Sequence, residues 1–354
     1  MQSSLPNEII SKERLSRILM QCHDLHIGVI GDLALDAYWY ADMTRACLSR
    51  ETPHFPRPVV REAYGCGAGA NVAHNLKALG VGHVSVFSVL GDDWRGKLLH
   101  RMMLDMGLDG EQLLFSPQRL TTAYIKPQLM GYESQQEDAR IDFENTQPLT
   151  RETEDALLGA ACKCLPGMDA VIVADQLEVN GIITDRVRQG LNELASQNQD
   201  KVFVVDSRLR IGAYKSMVLK PNQQEALAAV GSSLLANNAT LGDLAGTALH
   251  LNQHAQRPVF LTLGSQGVLT ATEGDVRHIA AGPTHPPLDP VGAGDSFISA
   301  VTAALAVGAH IWEAGALANL AAAVTVEKLH QTGTASSAEI IAKCESDAEG
   351  KVDD

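Results

Sequence analysis

A chain of 354 residues, 45% hydrophobic and 20% charged, is long enough to bury a large core as one α/β domain or as a domain with an appendage. Its net charge of −14 argues against nucleic acid as a partner and against a surface that binds anionic lipid. The first 20 residues lack the apolar run of a signal peptide, and no stretch reaches the roughly 18 apolar residues that span a membrane. We therefore expect a cytoplasmic protein that binds neither nucleic acid nor membrane.

Short apolar runs of strand length alternate with helical segments along most of the chain. The apolar runs are 27–30, 84–89, 170–174, 202–205 and 259–263, and the segments with helical periodicity are 71–79, 95–106, 152–164, 182–195 and 241–254. This alternation favours a mainly parallel sheet covered by helices on both faces. We expect a helical extension over residues 1–24, a main domain over residues 25–344 and a polar tail over residues 345–354.

Two stretches, 37–64 and 121–144, break this alternation. The first contains three prolines and several aromatic residues without a helical period, and the second contains two extended segments around a polar turn. We expect them to form a small antiparallel sheet that projects as a lid over a binding site, two long surface loops being the alternative. A small two-sided sheet is rarely stable alone, so we expect the lid to mediate a homodimer. Alternatively, Tyr38, Trp39 and Tyr40 pack onto their own domain in a monomer.

Acidic residues follow three of the predicted strands. Asp32 and Asp36 come after 27–30, Asp175 follows 170–174, and Asp206 follows 202–205. Ligands of open parallel sheets bind beyond the carboxyl ends of the strands, so these carboxylates are placed to bind hydroxyl groups of a ligand. Any one of them alone is explained more simply as a turn or cap residue.

The glycine-rich segment 65–71 is similar to a dinucleotide-binding turn. It follows an extended segment rather than a buried strand, and no acidic residue ends a second strand at the usual distance. A tight turn that lets a ligand approach the backbone fits better, with Asn71 donating a hydrogen bond to that ligand.

Asn222 and Glu225 are separated by one helical turn directly after Pro221. At this spacing both side chains face the same way, and together with a phosphate they suit Mg²⁺, which takes few protein ligands and keeps most of its waters. Plain capping of the helix is the simpler interpretation of these two residues taken alone.

The segment 289–295 ends in small residues directly before a predicted helix at 297–307. Backbone N–H groups at such a helix start converge at the positive end of the helix dipole and form a seat for a phosphate. Asp295 lies at the mouth of that seat, where a base would remove the proton of an attacking hydroxyl group. A turn with an N-terminal Asp cap is the alternative.

Taken together, these residues resemble the PfkB (ribokinase-like) family of carbohydrate kinases over about residues 26–335. The segment 289–295 is similar to the family signature, and Asn222 and Glu225 match its Asn-x-x-Glu motif. The resemblance implies a ribokinase-like α/β fold, a three-layer sandwich with a mainly parallel central sheet and a small β-sheet lid. It also implies transfer of a phosphoryl group from ATP, with Mg²⁺, to a hydroxyl group of a sugar or sugar phosphate.

The resemblance assigns roles to individual residues. Asp295 would be the base, and the backbone of Gly292, Ala293 and Gly294 would form the anion hole. The sugar would contact Asp36, Gly67 and Asn71, in addition to the strand-end acids Asp32 and Asp175. The residues matched to ATP binding are Asn222, Glu225, Thr262, Gly264, Gly267 and Asn319, with Mg²⁺ held by Asn222 and Glu225 through water and with Asp289 suggested as a ligand of K⁺.

Within the family, the chain is most similar to the kinases of D-glycero-β-D-manno-heptose 7-phosphate. The similar segments are 31–40, 58–60, 135–136 and 140–144, the last adding Arg140 to the substrate contacts. Ala68 and Val291 depart from the family pattern, and Asp-Gln-Leu-Glu at 175–178 replaces Asp-Tyr-Ala-Lys, which removes a natural partner of a sugar phosphate. The aromatic start is also explained by packing within the lid. The alternatives are a nucleoside or simple-sugar kinase and a catalytically silent sugar-binding regulatory protein.

Overall fold

The computed structural model describes residues 3–329 and 332–349. Its strands are β1 (Ser3–Ser4), β2 (His26–Gly31), β3 (Leu33–Asp42), β4 (Val59–Ala68), β5 (His83–Gly91), β6 (Leu113–Ser116), β7 (Ala123–Met130), β8 (Gln135–Glu137), β9 (Ile141–Phe143), β10 (Ala170–Asp175), β11 (Val202–Ser207), β12 (Val218–Leu219), β13 (Val259–Thr262), β14 (Val268–Thr272) and β15 (Asp275–Ile279). Its helices are α1 (Pro6–Ile9), α2 (Lys12–Gln21), α3 (Gly69–Ala78), α4 (Trp94–Asp105), α5 (Arg151–Cys164), α6 (Asp185–Gln197), α7 (Gln223–Ala229), α8 (Leu241–Ala255), α9 (Ala293–Ala306), α10 (Ile311–Thr325) and α11 (Ser337–Glu349).

A ten-stranded sheet forms the centre of the molecule, in the order β1-β15-β14-β13-β12-β11-β10-β2-β5-β6. Its strands pair in parallel from β13 through to β6, and β14 alone runs antiparallel to both of its neighbours. The strands and helices predicted from hydrophobic alternation are all present, and the prediction of a mainly parallel α/β sandwich is confirmed. The segment 182–195 becomes helical only at Asp185, because the Thr184 side chain caps the helix by accepting from the Val187 amide.

Alternating side chains of the central strands enter two separate cores, one on each face of the sheet. In β10, Ala170 and Ile172 belong to the core beneath α3, α9 and α10, whereas Val171 and Val173 belong to the core beneath α5, α6 and α8. Successive residues of a strand point to opposite faces, so a strand covered on both sides needs an unbroken apolar run. This is why the runs were recognisable in the sequence.

The second sheet has five strands, in the order β4-β3-β7-β8 with β9 also paired to β7. It corresponds to the lid predicted for 37–64 and 121–144, although its strands begin at Leu33 and extend to Ala68. The expectation of an antiparallel sheet is wrong in one respect, because β3 and β7 pair in parallel. Between them the chain passes through α3, β5 and α4 of the main body, and that crossover returns β7 in the same direction as β3.

The two ends of the chain pack onto the main body in the described residues. Strand β1 extends the central sheet beside β15, and the Arg14 guanidinium of α2 forms a bidentate pair with Glu313 of α10 at 2.8 and 2.9 Å. Helix α11 runs to Glu349, beyond the start of the tail predicted for 345–354, and residues 350–354 of that tail lie outside the described residues. None of the helices described is both long and apolar enough to cross a membrane.

Candidate active site

The first turn of α9 sets the geometry of the site. Gly292 caps the helix in a left-handed conformation, with φ of 83°, and a Cβ there would lie 3.3 Å from the backbone of Gly333. Glycine is therefore required by both the dihedral angle and the space. The Ala293 amide donates to the Pro290 carbonyl at 3.2 Å. In the described part of the chain the amides of Gly294 and Asp295 meet no protein acceptor, so they are available to donate to an anion at this helix start.

Asp295 projects from this first turn and is half-buried. Its carboxylate accepts from the side-chain amides of Asn71, at 2.7 Å, and Gln176, at 3.4 Å. Burial raises the pKa of Asp295 to about 6, although the bond from Asn71 opposes that rise. A carboxylate with this pKa is deprotonated at neutral pH, yet basic enough to take a proton from a hydroxyl group.

Two cavities meet at this helix start, and each uses different residues of the 290–295 segment. The polar cavity, of about 390 Å³, is lined by Gly292, Gly294 and Asp295 together with Asp36, Gly67, Tyr124, Lys126, Arg140, Gln176, Arg208 and Thr332. The apolar cavity, of about 550 Å³, is lined by Pro290 and Ala293 together with Gly264, Ala280, Gly282, Leu288, Asn319, Ala322, Ala323 and Val326. The start of α9 is thus a wall shared by a charged chamber and a largely uncharged one.

The lid closes the polar cavity with paired charges. Lys126 of β7 lies 3.2 Å from Asp36 of β3, and Thr332 also donates to Asp36 at 3.1 Å. Arg140 forms two bonds to Asp142, at 2.6 and 2.7 Å. The structure therefore brings the predicted residues Asp36, Gly67 and Arg140 to the cavity that contains Asp295.

The sequence interpretation missed Lys220, which lies beside this site. It also missed residues that line the polar cavity, among them Tyr124, Lys126, Gln176 and Arg208. The Lys220 side chain is 5% exposed, lies 3.3 Å from Asp206, and ends 3.8 Å from the point where a Cβ on Gly294 would stand. Burial would lower the pKa of Lys220, but Asp206, Glu225 and Asp295 outweigh that effect and raise it, so the ammonium group stays charged beside the anion seat. A lysine at the end of β12, two residues before Asn222, was the available signal.

Asn222 and Glu225 form a reciprocal capping box at the start of α7. The Glu225 amide donates to Asn222 Oδ1 at 2.9 Å, and the Asn222 amide donates to Glu225 Oε2 at 2.8 Å. The described residues contain no group of three or more His, Cys, Asp or Glu arranged to hold a metal ion. Two acids, Asp206 and Glu225, flank Lys220, which suits an ion that keeps most of its water and takes phosphate oxygens as ligands.

Some of the residues predicted to bind ATP line the apolar cavity, and others lie in the structure behind it. Gly264 and Asn319 line the cavity, and the buried Asn319 amide donates to the carbonyls of Ile279 and Ala280 at 3.0 and 2.7 Å. Thr262 and Gly267 do not line it. Gly267 has φ of 94°, and a Cβ there would overlap the Ile279 carbonyl oxygen at 2.1 Å, so this residue shapes the turn behind the cavity.

Two predicted substrate contacts, Asp32 and Asp175, lie outside the polar cavity. Both carboxylates are buried, and both are used within the protein. Asp32 accepts from the backbone amides of residues 176, 177 and 182, and Asp175 accepts from the side chains of Ser207, Tyr214 and Arg210. They anchor the loops around the site because the strand ends bring their carboxylates next to donors of the protein itself.

The glycine-rich segment 65–71 is not the tight turn that we expected. Gly65 and Gly67 lie within β4, and α3 begins at Gly69 after a single left-handed residue, Ala68, with φ of 52°. Asn71 is fully buried in α3 and donates to Asp295 rather than lining the cavity. Asp289 accepts from the Val291 amide at 3.1 Å and lies on a smaller cavity beneath the lid.

The fold is that of ribokinase-like sugar kinases. Phosphofructokinase-2 from Escherichia coli, in its tetrameric inhibited form, superposes with a TM-score of 0.70 at 18% identity, covering 92% of this chain and 99% of that one. Ribokinase from Arabidopsis thaliana, complexed with ribose and ATP, superposes with a TM-score of 0.66 at 16% identity, covering 91% and 99%.

The chain belongs to the pfkB family of carbohydrate kinases, whose family model matches residues 27–339. It is similar to the bifunctional protein HldE of Trichlorobacter lovleyi, at 31% identity over 337 residues, and to that of Desulfatibacillum aliphaticivorans, at 31% over 317 residues. These alignments cover 94% and 89% of this chain but 65% and 62% of the two relatives. The chain thus spans slightly less than two thirds of their length.

Proposed function

We propose that this protein transfers the γ-phosphoryl group of ATP to a hydroxyl group of a sugar phosphate, with Mg²⁺ bound beside the nucleotide. The observation that carries the proposal is the first turn of α9, which separates the polar cavity from the apolar cavity and presents Asp295 to the polar one. A hydroxyl group at Asp295 and a phosphate at the helix start would meet at the edge of this wall, where Gly294 and Asp295 both line the polar cavity.

The apolar cavity would take the nucleotide base, because its lining is mostly small and uncharged. Asn319 holds the backbone of residues 279 and 280 in place at its wall. The phosphates would extend toward Gly294, where the two amides at the helix start and the ammonium group of Lys220 supply positive charge. Positive charge fixed at the point where charge develops stabilises the transition state.

Asp295 would take the proton of the attacking hydroxyl group. Asn71 and Gln176 hold its carboxylate in the cavity, and neither amide can accept that proton as a base. The lid sheet covers the same cavity through Asp36, Tyr124 and Lys126, and it would exclude water that otherwise competes with the sugar hydroxyl.

Mg²⁺ would bind beside Lys220, Asp206 and Glu225, through water rather than by a set of direct protein ligands. Bound there, it would neutralise charge on the ATP phosphates. Glu225 would orient its water shell while Asn222 holds Glu225 in the capping box. Burial raises the pKa of Glu225, and the positive charge of Lys220 partly offsets that rise.

The charge of the polar cavity favours a phosphorylated acceptor. Three cations, Lys126, Arg140 and Arg208, line it against two acids, Asp36 and Asp295. We propose D-glycero-β-D-manno-heptose 7-phosphate as the first acceptor to test, supported by the resemblance of 31–40 and 140–144 and by relatives named bifunctional protein HldE. A simple sugar or a nucleoside is the alternative acceptor on the same fold.

A homodimer formed through the lid is part of the same proposal. Leu48, Phe55, Val59 and Val60, in β4 and the loop before it, are between 42% and 62% exposed. Strand β4 is also an edge of the five-stranded sheet, and a second copy would cover both the apolar side chains and that edge. Tyr38 and Tyr40 are half-buried instead, beside Lys126 and Arg61, and pack within their own lid.

A coupled assay of ADP release tests the function. The panel contains the heptose 7-phosphate, fructose 6-phosphate, ribose and adenosine, each with and without Mg²⁺. We expect Mg²⁺-dependent release with a sugar phosphate, and a thermal shift with that acceptor because a bound substrate stabilises the folded state. Release with ribose or adenosine alone would assign the alternative acceptor class, and no release with any of the four would contradict the proposal.

A further inference from the structure

The polar cavity continues into a second chamber away from Asp295. This outer chamber, of about 350 Å³, shares Tyr124, Arg140, Gln176 and Arg208 with the polar cavity, and Asp295 does not line it. The four shared residues therefore form the boundary between an inner chamber, where the reacting hydroxyl group would lie, and an outer one. A ligand with one hydroxyl group at Asp295 extends toward this boundary.

Arg208 is the boundary cation whose charge the protein does not satisfy. Arg140 is bonded twice to Asp142, and Lys126, deeper in the cavity, is paired with Asp36. Arg210, two residues along the same loop, is held by Asp175 and by the carbonyl groups of Leu177 and Glu178. Over residues 3–329 and 332–349, no ion pair or hydrogen bond is formed by the exposed side chain of Arg208.

The groups around Arg208 limit where an anion could sit. Beyond the boundary the outer chamber has Asp142, Glu144 and Glu178, which would repel an anion. On the inner side Asp295 would do the same. At the boundary itself the Arg140 guanidinium stacks on the Tyr124 ring at 4.6 Å. Arg208 and Tyr124 both line the two chambers, so they lie together at this boundary. Burial raises the pKa of Tyr124, and the charges of Arg208 and Arg140 oppose that rise.

We propose that Arg208, with the hydroxyl group of Tyr124, forms an anion subsite that binds the phosphate already present on the acceptor and so selects phosphorylated sugars. The planar guanidinium can donate two parallel bonds to one phosphate, a geometry that ammonium groups lack. The inference rests on the proposed function, because a phosphate at Arg208 matters only if the acceptor's hydroxyl group lies at Asp295. In this role Arg208 determines substrate specificity and does not contact the reacting atoms.

The test compares Arg208→Gln with Arg208→Lys and with Arg101→Gln. Arg101 is an 81% exposed arginine of α4 outside both chambers, so its variant removes the same charge elsewhere. The readout is the ratio of kcat/KM for heptose 7-phosphate to that for the unphosphorylated heptose. We expect this ratio to fall about 10- to 100-fold in Arg208→Gln, as is typical for losing a hydrogen bond to a charged group, through KM rather than kcat. Arg208→Lys should retain part of the wild-type ratio, and Arg101→Gln should retain all of that ratio.

Inorganic phosphate tests the subsite without turnover. We expect phosphate to raise the unfolding temperature of the wild-type protein and of Arg101→Gln, and to do so much less in Arg208→Gln. The inference is overturned if the ratio of kcat/KM for the two heptoses is unchanged in Arg208→Gln, whether activity is kept with both acceptors or lost equally with both. If the wild-type protein phosphorylates no sugar phosphate, the proposed function fails, and a phosphate shift that is the same in Arg208→Gln then also overturns the subsite.

Discussion

The apolar cavity takes its lining from residues 264–326, whereas the polar cavity collects residues from segments scattered between Asp36 and Thr332. The first is formed by one continuous part of the chain, and its contacts with a ligand would be mostly backbone and small side chains. The second depends on the lid and on loops after β10 and β11. The side that would bind the nucleotide is therefore defined by local motifs, and the side that would bind the acceptor is defined by long-range assembly.

This difference would separate the binding of ATP, which is common to all acceptors, from the selection of the acceptor. Every acceptor of such a kinase would be phosphorylated by the same nucleotide, so one continuous segment can bind that nucleotide in all cases. The polar cavity instead combines Lys126, Gln176 and Arg208, which lie on different elements and can change one at a time. Substitutions of single residues distinguish an effect on both cavities from an effect on one.

Asp295→Asn should have the largest effect, because Asp295 stands at the wall where the two cavities meet. We expect kcat to fall at least ~10²-fold, the loss typical of removing a general base, while ATP still stabilises the protein against thermal unfolding. Steady-state kinetics and a thermal shift with ATP measure both quantities. Near-normal turnover would place the base elsewhere.

Glu225→Gln should act on the nucleotide side alone. We expect the Mg²⁺ concentration for half activity to rise on the order of tenfold, as outer-shell changes at metal sites typically cause, with little change in the KM of the acceptor. Asp243→Asn is the matched control, because Asp243 closes a similar capping box at the start of α8. Identical Mg²⁺ titrations for Glu225→Gln and the wild-type protein would leave Glu225 with a capping role only.

Asn71→Leu should move the pH dependence of the reaction. Burial raises the pKa of Asp295 to about 6, so kcat/KM of the wild-type protein should fall as the pH drops through that value and the base becomes protonated. Removing the donor of the 2.7 Å bond should raise this pKa further and shift the acid limb upward by roughly one to two pH units. Asn75→Leu controls for loss of a buried amide in α3. A limb that does not move in Asn71→Leu would contradict a positioning role for Asn71.

Phe55→Glu should have the smallest effect on chemistry and act on the acceptor side alone. If the lid forms a homodimer, a charge at this 62% exposed side chain should split it, raise the KM of the acceptor and leave the KM of ATP unchanged. Light scattering at micromolar concentration gives the mass, with Phe115→Glu as the control at an exposed aromatic of β6, outside the lid. A wild-type mass near 37.8 kDa, unchanged by sugar and ATP, would exclude the dimer.

Much of the fold could be predicted because its signals are local. Doubly covered strands need unbroken apolar runs, as in 170–174, and the start of α9 needs a glycine in the left-handed conformation before a helix. The parallel pairing of β3 with β7 could not be predicted, since it depends on how the main body returns the chain. The pattern of hydrophobic residues carries information only about residues that are close in sequence.

The site was less predictable for a related reason. Asp32, Asp36 and Asp175 all follow apolar runs that predict strands, yet of these three only Asp36 lines the polar cavity. A position at the strand end brings a carboxylate to the correct edge, but the orientation of that carboxylate depends on donors far away in sequence. Arg208 gave no signal of its own, because a charged residue after a strand resembles any surface residue until the structure shows its surroundings.

The hydrogen bonds of Asp32 have a consequence for how this family can change. Its buried carboxylate holds the loop 176–182 solely through main-chain amides, and Gly181 must stay small because a Cβ there would lie 2.8 Å from Asp32 Oδ1. An anchor that binds main-chain amides does not depend on the side chains at 176–178, which line the acceptor chambers. Leu177 and Glu178 can therefore be exchanged by mutation without releasing the loop, so that new acceptors can be acquired during evolution, or by directed evolution, at little cost in folding. Gln176 is more constrained, because its side chain also donates to Asp295.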